Sequence, residues 1–526
     1  LTINTTTLAL TAPVLTSGGN VSITADSVAY PDAIESNGGD ITLTARVGGI
    51  SAVDDGDASA PVLRTTAAGG NASGSIVLDA TGASGSIVVG VVDASGADNS
   101  AGAGSLGGDI TLRSTGALTY SSVDTSGGDG TGAAGGAAGD ITLVRDTDTG
   151  LLLSGPVNAL GGNGRSDRGG VVTLEVPGDG GISQPASGAT IRTRRLVLDS
   201  HADFDLSSLT GEFAFEDPNN LISELSLQTI GGAMGIHRQD VRLVSNTHLA
   251  VVDASHASRG FMSFDVGSHT LTVQAGLDTG GDALMVTAGR FTSESSATLT
   301  TRGGELDLTG VTGHITIEGG VSTSGGDVNL GAGSGAITLS GPVLTGGGRF
   351  AAFGTAFTLD DNASDSGLVS GGGDIDLRGI TGAVLISEDI ETGGGDFFSG
   401  GTYLDFEESM GRDDDSLRTN GGLVDLSGHT GDIGTFLSDY RIITGGGDFV
   451  ATGARNIKFV GWPTIGFSLI DTDGLSGQDA GSVTIEASNA VTVEGISAAG
   501  AAGKAGGAVD LRAGGKLAVY GIDTRG

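Results

Sequence analysis

The residues of this chain that could do chemistry are its histidines and three acidic clusters. Five of the seven histidines, His201, His237, His248, His256 and His269, fall in one stretch at intervals of 36, 11, 8 and 13. A metal site made from sequence-local ligands uses short fixed intervals such as His-x-x-x-His. These intervals match none, so the histidines read as scattered polar residues. Asp54-Asp55-Asp57, Asp360-Asp361 and Asp413-Asp414-Asp415 offer the carboxylate oxygens that Ca²⁺ prefers. None has the Gly-Gly-x-Gly-x-Asp period of a calcium β-roll, and solvated loops are the expectation. Glycoside hydrolysis needs only two carboxyl groups ~5–10 Å apart, and 62 acids supply such pairs by chance. No aromatic platform for sugars accompanies them in the sequence. There is no cysteine nucleophile, and no Ser/His/Asp grouping stands out. The expectation is therefore no catalytic, cofactor-binding or metal residue and no cofactor, with Ca²⁺ the single ion worth testing.

What would position any such group is a repeat. Gly-Gly followed by a mostly acidic residue and an apolar run recurs from Gly280 to Asp448. The residue after the glycines falls at 282, 305, 327, 349, 374, 396, 423 and 448, in steps of 23, 22, 22, 25, 22, 27 and 25. A period of this length means a repeat architecture. Between Asp327 and Gly348 lie three short strand-like runs, Val328-Asn329-Leu330, Ala336-Ile337-Thr338-Leu339 and Pro342-Val343-Leu344, parted by glycine-rich turns. Such strands cannot pair within one repeat but can stack on the same strand of the next at ~4.8 Å. That is a coil of a parallel β-helix with three strands and three turns. With 98 glycines in 526 residues, helices would lose too much in their interiors.

The columns agree. Ala283, Leu306, Val328, Phe350, Ile375, Phe397, Val424 and Phe449 form an apolar, inward column, in which Phe350, Phe397 and Phe449 are expected to stack. The preceding column, Asp282, Glu305, Asp327, Arg349, Asp374, Asp396, Leu423 and Asp448, is mostly acidic and expected outside. The glycines are expected at corners that need φ > 0.

Residues 1–192 follow the same grammar with steps of 20, 35, 34, 31 and 31 from Asn20. The extra residues are Gly/Ala/Ser/Asp insertions let out of one corner, after Gly96, Gly127 and Ala159; corner insertions on one face decorate a solenoid or form its binding face. Residues 193–276 break the rhythm, with Pro218-Asn219-Asn220, Met234 and Met262; irregular coils or a small insertion are expected. Residues 277–526 are the regular block, with long loops returning after 470.

Composition sets outer bounds. Formal charge is −37, Phe, Trp and Tyr make up 4 %, Trp462 is the single tryptophan, and Lys458, Lys504 and Lys516 are the only lysines. A thin core is implied, and nothing here could neutralise nucleic-acid phosphates. Cysteine is absent, which a solenoid with its own core tolerates. No run approaches the ~18 apolar residues of a membrane span, so neither nucleic acid nor membrane insertion is expected.

Gly-Gly-Asp-Ile-Thr-Leu-Thr-Ala at 38–45, Gly-Gly-Asp-Ile-Thr-Leu-Arg-Ser at 107–114 and Val-Asp-Thr-Ser-Gly-Gly-Asp-Gly at 123–130 resemble the shafts of filamentous-haemagglutinin-like bacterial exoproteins. The resemblance covers most of the chain outside 193–276. The family's N-terminal secretion region is not seen in it. The likeness implies an all-β, right-handed parallel β-helix on the bacterial cell surface, serving adhesion or a surface filament. Some 20 coils would make a rod about 100 Å long at ~4.8 Å per coil. Leu1-Thr2-Ile3 begins inside a strand and Ile522-Asp523-Thr524-Arg525-Gly526 repeats the opening of an insertion. Either feature fits a segment of a longer chain or ends covered by neighbouring copies. Expected partners are thus further repeats, a second copy stacked end to end, or host-cell, matrix or biofilm glycans and proteins. The rival expectation is a β-helical polysaccharide-acting enzyme or a tailspike-like glycan-binding protein.

Overall fold

Alternation and glycine-rich turns produce what they should: every paired strand lies parallel to its neighbour one coil away. The computed structural model describes residues 1–53, 61–67, 70–131, 135–147, 149–177, 180–185, 187–201, 210–228, 238–254, 260–360, 367–407, 415–436, 440–461 and 469–526. The chain is all-β, a parallel β-helix, in two compact units, Leu1–His269 and Thr270–Gly526. No helix among the described residues is long and apolar enough to cross a membrane.

In the first unit, Val21–Ala25, Ile41–Ala45, Ile76–Ala80, Ile110–Ser114, Ile141–Arg145 and Val171–Pro177 stack in register as the first strand of successive coils. Ile23, Leu43, Leu78, Leu112, Leu143 and Leu174 face inward along this ladder with no exposed surface. Period-2 alternation makes each inward residue meet an inward residue of the next coil, so a thin column of aliphatics forms a continuous core. The broken rhythm near 193 has a specific cause. The strand Ile191–His201 begins as a third strand, on Val157–Ala159, and ends as a first strand, on Val171–Pro177. The corner between them is gone, and with it the glycine phrase. Parallel pairing continues beyond it in Leu221–Gln228 and in Arg238–Val244.

In the second unit the first-strand column is Leu284, Leu306, Val328, Phe350, Ile375, Phe397, Val424, Phe449, Val483 and Val509. Two expectations are corrected here. Leu284, not Ala283, pairs with Leu306, because the backbone of Asp282 occupies the place of the last glycine. Phe350, Phe397 and Phe449 are buried but do not stack on one another, since Ile375 and Val424 intervene. Their ring partners lie across the core: Phe350 meets Phe357 edge-on at 6.2 Å and Phe449 meets Phe459 at 6.0 Å. With an aliphatic between successive phenylalanines of the column, the rings of Phe350 and Phe449 find their edge-on partners across the core instead.

The glycine corner divides its labour. In the corner after Thr345, Gly346 and Gly347 take φ of +64° and +113°, a left-handed pair that side chains resist. Gly348 does something else: a Cβ there would lie 2.0 Å from the carbonyl oxygen of Gly326. From Gly326 to Gly481 the last glycine of each corner is pressed this way on its predecessor, at 1.8–2.3 Å. The acidic residue that follows is outward, as expected, and also bonded. Asp327 Oδ1 accepts the Arg349 amide at 2.8 Å, Asp374 the Asp396 amide at 2.9 Å and Asp448 the Ser482 amide at 2.7 Å.

A column of hydroxyls closes the corner from inside. Thr279, Thr301, Thr323, Thr345, Ser370, Thr392, Thr419, Thr444 and Thr472 are fully buried. Each from Thr301 on donates to the carbonyl of that last glycine, as from Thr345 to Gly348 at 2.5 Å and Thr419 to Gly422 at 2.6 Å, and Thr279 donates to the carbonyl of Asp282, which stands in the glycine's place. The bond survives insertion: Thr65 reaches Gly74 at 2.6 Å, Thr125 reaches Gly139 at 2.8 Å and Thr472 reaches Gly481 at 2.8 Å. One hydroxyl thus staples the base of the corner whatever the length of chain looped out.

Candidate functional site

Outward residues of the second strand build a groove in the second unit. Strand alternation sends Leu404, Ile433, Ile457 and Val491 into the core and leaves two outward rows in register. One row is Tyr403, Asp432, Asn456, Ala490; the other is Asp405, Gly434, Lys458, Thr492. They line a hollow of about 340 Å³. Gly434 forms its floor: a Cβ there would meet the Lys458 carbonyl oxygen at 2.4 Å. The missing side chain leaves a slot between Asp405 and Lys458, two coils or roughly 9–10 Å apart.

The polar groups are held in place. The Tyr403 hydroxyl donates to Asp405 Oδ2 at 2.6 Å; Asp405 is 6 % exposed and Tyr403 39 %. That hydrogen bond to a carboxylate, with burial, pushes the phenol up to about 12. Asp432 receives Arg455 Nε and Nη2 at 3.0 and 2.9 Å and Asn456 Nδ2 at 2.8 Å. The guanidinium holds the Asp432 carboxyl below its usual range. Asn489 continues the chain, donating to Asn456 Oδ1 at 2.8 Å. Carboxylate, amide, hydroxyl and ammonium groups with one half-exposed ring are what hydroxylated ligands require. Asp432 is fixed as an anion and cannot serve as the proton donor of a hydrolytic pair.

The sequence showed no aromatic platform. The structure brings three outward aromatics within three successive coils: Phe353 and Tyr403, about 40 % exposed, and Phe398, covered by the Arg378 guanidinium at 4.2 Å. Arg378 and Arg349 both bind Asp376 at 2.7 Å, and these bonds, chiefly from Arg378, hold its carboxyl down to about 2.

Of the residues singled out above, His248 and His269 meet edge to face at 5.4 Å, while His237, His256 and the His201 side chain lie outside the described residues. Asp54, Asp55, Asp57, Asp361, Asp413, Asp414, Met234 and Trp462 lie outside them too. Asp360 is exposed, but Asp415 is buried at 2 % and so does not belong to a solvated loop; the Asp389 carboxylate accepts the amide of Ser416 beside it. No group of three or more metal-ligating side chains occurs among the described residues. One histidine that drew no attention in the sequence, His429, is fully buried with Nε2 2.9 Å from Ser399 Oγ and Nδ1 without a partner. Desolvation lowers it to about 4.

The corner insertions of the first unit are ordered against one another. Gly96 donates to Ser126 O at 2.7 Å, Ser105 to Ala97 O at 3.0 Å, Gly128 to Ser105 O at 2.9 Å, Gly136 to Gly128 O at 2.8 Å and Gly162 to Gly136 O at 2.8 Å. Cβ atoms on Gly104, Gly128, Gly136 and Gly162 would fall 1.8–2.0 Å from a backbone oxygen. Gly161 and Gly169 have polyproline-like angles, φ −62° and −68° with ψ 155° and 152°. The outgoing and returning limbs therefore form a second hydrogen-bonded layer, a glycine fin.

The groove residues were missed because each sits in an unremarkable strand phrase. Tyr-Leu-Asp-Phe at 403–406, Asp-Ile-Gly-Thr at 432–435 and Asn-Ile-Lys-Phe at 456–459 share outward residues on both sides of an inward aliphatic, polar except for Gly434. Aligning them coil on coil would have assembled the site. No protein-family model, curated protein or solved structure matches the chain.

Proposed function

We propose that this chain is an extracellular structural and adhesive β-helix: a shaft segment of a large bacterial surface adhesin, or a filament subunit, without enzymatic activity. The observation that carries the reading is the redundancy of its coil-to-coil bonding. Each regular corner adds to the strand ladder a buried hydroxyl, and those with Asp327, Asp374, Asp396 or Asp448 add a carboxylate bonded to the next coil's amide. A solenoid whose neighbouring coils are tied at backbone, corner and core resists extension along its stack. The likeness of its glycine phrases to exoprotein shafts supports the surface location. No cofactor is required; glycan or protein ligands are taken up on the outer faces.

Negative-stain electron microscopy of the 526-residue chain, at low and high Ca²⁺, tests the assembly. Unbranched fibres establish the filament form, whereas single rods leave the shaft form. A second reading, action on polysaccharide, is favoured by the Tyr403–Asp405–Asp432 groove alone. Reducing-end release from a panel of acidic and neutral polysaccharides decides it: release abolished by Asp405→Asn would replace the structural reading.

A further inference from the structure

The first unit carries a second outer groove, of about 300 Å³, whose lining is built on the same plan with an arginine in place of the lysine. On the third-strand face, Val123, Val157 and Ile191 point inward. Two outward rows remain in register: Ser122, Pro156, Thr190 and Asp124, Asn158, Arg192. The second row runs carboxylate, amide, guanidinium over successive coils, so Asp124 and Arg192 stand roughly 9–10 Å apart along the stack. We infer that this groove binds a sugar carboxylate, a uronic-acid residue laid along the coil axis with its carboxylate on Arg192 and hydroxyls at Asp124 and Asn158.

The acceptor end is pre-formed. Asn158 Nδ2 donates to both Asp124 oxygens at 3.2 and 3.3 Å, and the Ser126 amide fixes Asp124 Oδ1 at 2.7 Å. The Thr190 hydroxyl donates to Asp217 Oδ2 at 3.0 Å, so its oxygen is left to accept. Pro156, exposed between two short hydroxyl residues, gives the hollow an apolar strip for the C–H face of a ring. Arg192 is exposed, and among the described residues it makes no ion pair or side-chain hydrogen bond. Its neighbours differ: Arg194 donates to Gly169 O at 3.1 Å and Arg195 to Glu224 at 2.6 Å. In a chain with 62 acids and 25 basic residues, an arginine in a groove without a carboxylate partner offers its planar fork to an incoming one. The other end selects the ligand. Asp124 repels a second carboxylate or a carbonyl oxygen, which disfavours an acidic peptide, whereas sugar hydroxyls both donate to Asp124 and accept from an amide or hydroxyl.

Saturation-transfer NMR and calorimetry on the full chain would use methyl glycosides of glucuronic, galacturonic and mannuronic acids, their neutral parents, and tetraglutamate. At least one uronoside should bind about tenfold more tightly than its neutral parent, the scale of one charged hydrogen bond. Arg192→Gln should remove that difference with the melting curve unchanged, and Lys458→Gln should leave binding intact. The proposal is overturned if no uronoside binds, if the neutral parents or tetraglutamate bind equally well, or if Lys458→Gln and not Arg192→Gln abolishes binding. None of these outcomes depends on whether the chain forms filaments, so this inference and the structural reading fail separately.

Discussion

A Cβ on Gly326 would stand 1.8 Å from the carbonyl oxygen of Gly304, one coil earlier. The obstacle is backbone, not a side-chain end that could swing away, so only opening the ladder would relieve it. Gly326→Ala should therefore destabilise the second unit by about 3 kcal/mol, the upper part of the overpacking range. Gly521→Ala, with nothing within 4 Å and no positive φ, should change stability by less than about 0.5 kcal/mol. Urea unfolding midpoints of the two variants check this, and equal midpoints would show that the coils are not so closely pressed.

The hydroxyl column makes a separate prediction. Thr323 lies within reach of two carbonyls, that of Gly326 in its own corner and that of Thr345 at 3.1 Å. Thr323→Val keeps the shape and leaves the corner carbonyl without its buried donor, a loss of about 1–3 kcal/mol. Thr323→Ser keeps the donor and should cost under about 1 kcal/mol, as Ser370 in the same column implies. If the serine and valine variants melt together, the methyl group and not the hydrogen bond matters.

His429 predicts a pH window. Its folded-state value is depressed, from an ordinary 6.5 to about 4, by desolvation. Between these values the unfolded chain binds the proton and the folded chain does not, so stability is full above about 6.5 and falls as pH drops towards 4. The loss at the acid end is about 3 kcal/mol. Asp376 acts in a lower window, since its depressed value keeps its contribution until pH falls below the ordinary carboxylate range. Denaturation midpoints at pH 7, 5.5 and 4.5 should therefore decline in the native chain and stay flatter in His429→Gln.

Glycine-rich loops usually exchange their amides quickly, and the fin should not. The amides of Gly128, Gly136 and Gly162 bond to carbonyls of neighbouring limbs at 2.8–2.9 Å, in a layer where no side chain can intrude. Hydrogen-exchange mass spectrometry should find peptides over 94–108, 125–131 and 159–170 protected at least as long as the second-strand peptides of the same coils. Exchange within seconds would dismiss the fin as a structural layer.

How far the sequence could be read varies with the element. The coil was legible because a fixed period, a three-run phrase and an apolar column each require stacking between repeats; Leu306, Val328, Phe350 and Ile375 had no other way to be buried. The acidic column was legible as an outward one, yet its bond to the next coil's amide was not, since a sequence does not show which backbone group a carboxylate will face. The threonine, or serine at 370, before each corner was present in the sequence but reads as an ordinary turn residue until the core closes around it.

The grooves were not legible in any single phrase. Tyr403, Asp432 and Asn456, or Asp124, Asn158 and Arg192, are neighbours only because coils of unequal length are brought into register by pairing. The sequence by itself determined the coil, its inward column and the places where chain could be let out, because burial and backbone conformation are local requirements repeated at every step. The tertiary structure alone decided which outward side chains share a hollow and which glycines touch. Those relations depend on coil-to-coil register, and register is set by the sum of all ladder contacts and by no single phrase.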